Sequence, residues 1–344
     1  MGSHRPALRA FAALCLALAG AFRASAQAPV AGAGFYHGKA VDFVISDAVG
    51  GGSDTMGRLV ARHVGRYLPG NPSVQIRNMP GAGGLAGANH LYNIAPKDGL
   101  TVGMVEQSLH LTQIFGTKGL LADVRRFNWL GRIISNNAAL FAWGDRPVKK
   151  IADAFEHEFV VASPGLSSQM RWTVLRRLTG LKFRLIVGHK GSSEASLAME
   201  RGEVDGLAIP WTVFRVAHAD WLRDRKVNVL LQTGVDRAAD LPDTPRVVDM
   251  ARDDEQRQIL EIFSLSEKIG RSFVAPPGVP PERVAEWRAA FLAATRDPGL
   301  LAEAAALQLD LDPLSGEALQ DLITKAFDYS PDLVARAESL AKPD

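Results

Sequence analysis

The chain has 344 residues, 47% hydrophobic and 22% charged, with a formal net charge of +2. Mixed charge signs with no basic stripe argue against nucleic acid as a partner, and the length suits two domains. The single cysteine, Cys15, excludes a disulfide framework and a Cys-ligated metal site.

The first segment reads as an export signal. His4, Arg5 and Arg9 precede an apolar stretch from Ala10 to Phe22, and Ala24-Ser25-Ala26 ahead of Gln27 supplies a small-x-small cleavage pattern. Removal of residues 1–26 is expected, leaving a periplasmic protein without a thiol. The apolar part is shorter than the ~20 residues needed to cross a bilayer, and no later segment is apolar for long enough either.

Val41 to Ile45 is a strand candidate. After it, Met56, Leu59, Val60, Val64, Tyr67 and Leu68 recur at three- and four-residue spacing as one face of a helix, which Pro69-Gly70-Asn71-Pro72 ends. Val74 to Arg77, Leu85 to Ile94 and Thr101 to Val105 continue as strand, helix and strand, a βαβαβ order that implies a parallel sheet with helices on its faces. Trp129 to Ile134 and Leu140 to Trp143 are apolar pieces suited to carrying the chain into a second domain.

A second run follows: strand Phe159 to Ala162, helix Gln169 to Leu178, strand Phe183 to Val187, helix Glu194 to Glu200 and strand Val204 to Ile209, with Gly202 placed to end a helix. Val227 to Gln232 is expected to carry the chain back. Helices are then expected near Glu255 to Ser266, Pro281 to Arg296, Leu300 to Leu307 and Ser315 to Phe327, with one strand at Ser272 to Ala275.

Four times an apolar run ends in a glycine- or serine-rich turn that opens a helix: Gly50 to Asp54, Pro80 to Leu85, Ser163 to Ser168 and Lys190 to Ser193. A helix start leaves its first N–H groups unpaired and carries roughly half a positive charge, so such turns suit a small anion. The residues expected to touch it are Gly51, Gly52 and Ser53 in the first turn and Gly81, Ala82, Gly83 and Gly84 in the second. From the other domain come Ser163, Gly165, Ser167 and Ser168, then Lys190, Gly191 and Ser192, and Asp205, which is expected to fix the neighbouring loops or accept a ligand N–H, with pairing to a nearby arginine as its plain structural reading. Each turn also has a plain structural reading as a βα connection with an ordinary helix cap, and Asp54 fits that role better than contact with an anion, which it would repel.

The pieces Gly50-Gly51-Gly52-Ser53-Asp54, Arg58, Asn78-Met79-Pro80-Gly81-Ala82-Gly83-Gly84 and Ala95-Pro96-Lys97-Asp98-Gly99 resemble the substrate-binding receptors of tripartite tricarboxylate transporters, the Bug receptors. The similarity continues through Ser163-Pro164-Gly165, Lys190-Gly191, Gly202-Glu203-Val204-Asp205-Gly206, Leu241-Pro242-Asp243-Thr244-Pro245 and Ala275-Pro276-Pro277-Gly278-Val279-Pro280-Pro281, so it covers nearly all of residues 27–344. Leu166-Ser167-Ser168 departs from the glycine-rich ending common after Ser-Pro-Gly, which bears on ligand identity and not on fold. The resemblance implies an α/β fold of the periplasmic binding protein type (type II), two lobes with a hinge and an interlobe cleft. It also implies a carboxylate guest, delivery to integral-membrane permease subunits, and no catalysis or cofactor. The expected division is residues 27–135 with 233–344 for the first lobe and 136–232 for the second, in a monomer.

Two other readings compete. Gly81, Gly83 and Ala86 match G-x-G-x-x-A after a strand, with Glu106 about 20 residues on, as an NAD-dependent oxidoreductase would want. Against it, the turn follows the second strand, Pro80 stiffens its entry, and an exported chain lacks ready NAD. The alternative partner is a signalling protein, for which the receptor would present its ligand as a sensor subunit.

Overall fold

The computed structural model describes residues 34–342, apart from Gly165, Lys190 and the side chains of Leu166 and Ser167. The expected leader and the expected contacts at Gly165, Ser167 and Lys190 therefore lie outside the described residues. The strands are β1 (Ala40–Ile45), β2 (Ser73–Asn78), β3 (Thr101–Val105), β4 (Asn128–Ile134), β5 (Ala138–Trp143), β6 (Phe159–Ala162), β7 (Phe183–Ile186), β8 (Gly206–Pro210), β9 (Val227–Gln232), β10 (Arg271–Ala275) and β11 (Leu314–Ser315). The α-helices are α1 (Gly52–Val64), α2 (Leu85–Asn93), α3 (Leu109–Ile114), α4 (Leu166–Thr179), α5 (Ser192–Glu200), α6 (Trp211–Ala217), α7 (Ala219–Arg223), α8 (Asp254–Ile269), α9 (Pro281–Ala294), α10 (Pro298–Ala306), α11 (Gly316–Lys325) and α12 (Pro331–Ala341).

These strands form two sheets, ordered β11-β4-β10-β3-β1-β2 and β7-β6-β8-β5-β9. In the first, β1 runs parallel to β2 and β3, as the βαβαβ order requires, and β10 returns antiparallel between β3 and β4. Every residue of β3 is buried, which is why it reads as a continuous apolar run without alternation. Val41, Phe43 and Ile45 of β1 pack on Leu59 and Val60 of α1, while Val44 faces Leu85 and Ala88 of α2 on the other side.

The registers fix which sheet edges face each other. In the first sheet the ends of β1, β2, β3 and β4 and the start of β10 share one edge, since Arg271 pairs with Ile134 and Ser272 with Val105. In the second, the ends of β6, β7, β8 and β9 and the start of β5 share one edge, since Ala138 pairs with Pro210 and Ala139 with Gln232. Only Ser135, Asn136 and Asn137 separate β4 from β5. Three residues reach at most ~10 Å, so the two edges stand opposite one another, and the crevice between them is where open α/β sheets take ligands.

The return to the first sheet is made differently from the expected strand. β9 is an edge strand of the second sheet and the chain stays there, with Leu241, Val247 and Val248 buried against that sheet's helices. The crossing is made by α8: Ile259, Leu260, Ile262 and Phe263 pack with the second sheet, and Leu265 and Ile269 pack with the first. The expected division also left all of 233–344 with the first lobe. Leu333, Ala337 and Leu340 of α12 instead join Trp172 and Leu175 of α4 in the core of the second. A helix whose apolar stripe meets two cores shows one continuous period in sequence, so its role as a crossing is invisible there.

Candidate functional site

At the facing edges the helices begin without side-chain caps. α1, α2 and α5 start after Gly51, Gly84 and Gly191, none of which supplies a capping hydrogen bond. By contrast α8, α10, α11 and α12 are capped by Asp253, Asp297, Ser315 and Ser330, whose side chains accept first-turn N–H groups. Open first-turn amides of α1 and α5 therefore face the place where the two sheets meet, whereas α2 follows a tight turn in which Leu85 N–H donates to the Ala82 carbonyl and Ala86 N–H to that of Gly81.

The first turn is held from behind. The Gly50 N–H donates to Asp54 Oδ2 at 2.9 Å, Arg58 Nε donates to both Asp54 oxygens at 3.0 and 2.9 Å, and Asn78 Nδ2 donates to Oδ1 at 2.9 Å. Burial raises the Asp54 pKa, but these hydrogen bonds outweigh it and hold the carboxyl down at about 2. Asp54 is therefore an anchor for the turn and not the helix cap expected of it, since Gly51 stands at the N-cap of α1 and no side chain caps that helix. Replacing Asp54 with Ala removes the acceptor of the Gly50 N–H, of Arg58 Nε and of one Asn78 bond, and is expected to cost about 1.5–3 kcal/mol of stability in urea melts. The cost should vanish as pH falls through about 2, because the depressed carboxyl stabilises the fold only while ionised.

Ser53 is buried and its Oγ accepts a 2.9 Å hydrogen bond from Arg271 Nη1. Arg271 is the principal residue that sequence reasoning missed. It opens β10 at the crevice edge, half-buried, and no described carboxylate lies within ion-pair distance of it. A Cβ on Gly52 would stand 3.6 Å from its Nη2. The signal was its place just before the strand candidate Ser272 to Ala275, but only the antiparallel direction of β10 brings that end to the glycine turns.

The second turn lines a cavity of about 440 Å³. Its wall includes Ser46, Asp47, Pro80 to Leu85, Glu106 and Ser108 from the first sheet, Leu111 and Phe115, and Met170 of α4 from across the crevice. Gly81, Ala82, Gly83 and Gly84 all have positive φ, and a Cβ on Gly84 would come within 3.0 Å of Glu106 Cβ. This geometry corrects the dinucleotide reading. The turn follows β2, the outermost strand, and Glu106 follows β3, which β1 separates from β2 in the sheet, whereas in a dinucleotide fold the ribose-binding acid ends the strand adjacent to the one that carries the phosphate turn.

On the opposite edge Ser163 is fully buried, its Oγ 2.9 Å from Ser168 Oγ, and its carbonyl accepts from Gln169 Nε2. This hydroxyl pair shapes the turn at the end of β6. Gly191 and Ser192 open α5 after β7, with open space where a Gly191 Cβ would stand. Asp205 lies elsewhere: it precedes β8 at the edge away from the crevice, accepts the Val160 N–H at 2.9 Å and pairs with Arg146 at 3.1 Å. Its expected part in the site is withdrawn, because a residue at the start of a parallel strand sits a strand's length from the ligand edge.

A second cavity of about 330 Å³ lies between the end of β4, α6 and residues 235–240. Its cations are already matched: Arg215 with Asp240 and Asp310, Arg132 with Asp312, and Lys268 with Asp236. It is a polar joint between the lobes, and the contrast sets Arg271 apart.

Among the described residues no helix is long and apolar enough to cross a membrane. No curated protein matches the sequence significantly. Solved structures share the fold. A TctC solute-binding protein from Polaromonas is 19% identical, with 89% of this chain and 98% of that one covered and a TM-score of 0.67. The periplasmic binding protein BugD is 20% identical, covering 89% and 98%, at 0.61. MatC from Rhodopseudomonas palustris, with bound malate, is 20% identical, covering 88% and 99%, at 0.59. The model of the tripartite tricarboxylate transporter family receptor matches residues 56–335, and the chain therefore belongs to that family.

Proposed function

We propose that this receptor, once its leader is removed, captures a small organic carboxylate in the periplasm between its two lobes and hands it to the permease subunits of a tripartite transporter. It acts by binding alone. The observation that carries this reading is the convergence of glycine-started, uncapped helices on facing sheet edges, with the uncompensated Arg271 beside them. Unsatisfied amides and a guanidinium are what a carboxylate needs, and charge-assisted hydrogen bonds contribute about 1.5–3 kcal/mol each. MatC, of the same fold, holds malate, which supports the class of guest. Closure of the lobes about residues 135–137 and α8 would bring the Ser163 and Ser192 turns onto the far end of the guest.

Thermal melts of refolded, ligand-free protein with a panel of organic acids test this. An acid present at 100 times its dissociation constant is expected to add ~2.7 kcal/mol, and small-angle scattering should show a smaller radius of gyration with it. A panel in which no acid moves the melt removes the reading.

A further inference from the structure

The 440 Å³ cavity offers acceptors and no cation. Asp47 and Glu106 line it, and none of the described residues in its wall is Lys, Arg or His. The helix-start amides of the second turn are spent inside it: the Gly84 and Ala86 N–H groups donate to the Gly81 carbonyl and the Leu85 N–H to that of Ala82. Glu106 is half-buried, Ser108 Oγ donates to its Oε1 at 3.2 Å, and no described cation lies within ion-pair distance of it. A buried hydroxyl faces the same space. Ser46 is more than nine-tenths buried and lines the cavity, and its Oγ has no hydrogen-bond partner among the described residues. A Cβ on Gly84 would stand 3.5 Å from Ser46 Oγ and 3.0 Å from Glu106 Cβ, so the two side chains flank one glycine, which keeps the space between them free.

A buried hydroxyl without a partner is a standing cost to the fold, and alanine would fill the place without it. We infer that this cavity is a binding site for a small organic amine, separate from the carboxylate site at Arg271, in which the ammonium donates to the Glu106 carboxylate and to Ser46 Oγ. An alkylammonium has three donors and no acceptor, which suits a carboxylate beside an unpartnered hydroxyl. A carboxylate placed there would meet like charge from Glu106 and Asp47 and be disfavoured. Among the described residues no three His, Cys, Asp or Glu side chains are grouped to hold a metal ion. Leu111, Phe115 and Met170 make the rest of the wall apolar, which calls for a carbon chain behind the charge. Met170 lies on α4 and Leu111 on α3, so the amine touches a helix from each side of the crevice.

The test is calorimetric titration of refolded, ligand-free protein at neutral pH with amines and the alcohols of the same shape: butylamine and 1-butanol, hexylamine and 1-hexanol, 2-phenylethylamine and 2-phenylethanol. In at least one pair the amine is expected to bind tenfold or more tightly than its alcohol. Glu106→Gln should weaken that amine at least tenfold and remove its advantage over the alcohol. Ser46→Ala should weaken it threefold or more while the melting temperature stays level or rises, since the hydroxyl it removes has no partner in the protein. Amines that bind no better than their alcohols in every pair overturn the inference, and so does a Glu106→Gln protein that melts like the parent and binds the amine as tightly. Should the Gln variant fail to fold, parent-like amine binding by Ser46→Ala overturns it instead. None of these outcomes touches the carboxylate reading, which the panel of organic acids decides on its own.

Discussion

A Gly52→Asp variant is expected to lose acid binding by at least 100-fold, which is ~2.7 kcal/mol, while melting at or above the temperature of the parent. A Cβ on Gly52 meets only Arg271 Nη2, at the ordinary contact distance of 3.6 Å, so the new side chain needs no rearrangement. Its carboxylate would sit against the guanidinium and in the first turn of α1, where negative charge stabilises a helix by about 0.3–1 kcal/mol. The variant thus carries its own anion where the guest's should go. Gly52→Asn fills the same space without the charge and should retain more affinity, which separates occupation of Arg271 from simple crowding. Calorimetry on both variants reads the difference. Parent-like binding by Gly52→Asp would remove the first turn and Arg271 from the site together.

The second large effect is on stability. Arg171 of α4 and Glu267 of α8 form an ion pair in which both side chains are buried, linking the crossing helix to the helix that follows the Ser163 turn. Burial pushes the Glu267 carboxyl up to about 7, although Arg171 pulls it down. Arg171→Met strands that carboxylate, and removal of one partner of a buried pair costs about 3–5 kcal/mol. The sign with pH follows from the raised value. A carboxyl that binds its proton more tightly folded than unfolded favours the fold at low pH, and that contribution is lost as pH rises from the ordinary carboxylate range to about 7. In the Met variant the carboxyl is raised further, so the deficit should be large at pH 8 and much smaller at pH 5, where both proteins hold Glu267 neutral. The double variant Arg171→Met with Glu267→Gln should recover most of the loss at pH 8. Urea melts at the two pH values give the comparison, and a deficit independent of pH would show that packing, not the stranded charge, sets the cost.

The strands and helices near the first three turns were legible because each carries its own period. β1, β3, β6, α1 and α2 lie close to where the apolar spacing puts them, and glycine runs mark the breaks between them. Arg271 and Ser53 were not legible as a pair. They are 218 positions apart, and they meet only because β10 enters between β3 and β4 in reverse. Asp205 shows the converse: its place after a helix and before a strand looked like that of a ligand loop, but ligand loops lie at strand ends, and it lies at a strand start. α12 had its signals in plain view, with Ser330, Pro331 and then Leu333, Ala337 and Leu340 at helical spacing, yet nothing local says which lobe that stripe covers.

What the amino-acid sequence determined by itself is the set of strand-turn-helix units and the open amides they leave, since both follow from backbone sterics and hydrogen bonding within a few residues. Which charges meet in the crevice, that α8 and not a strand makes the return crossing, and that α12 closes the second core were decided only in the tertiary structure. Those outcomes depend on strand direction and on competition between two cores for one apolar stripe, and that competition is settled between segments far apart along the chain.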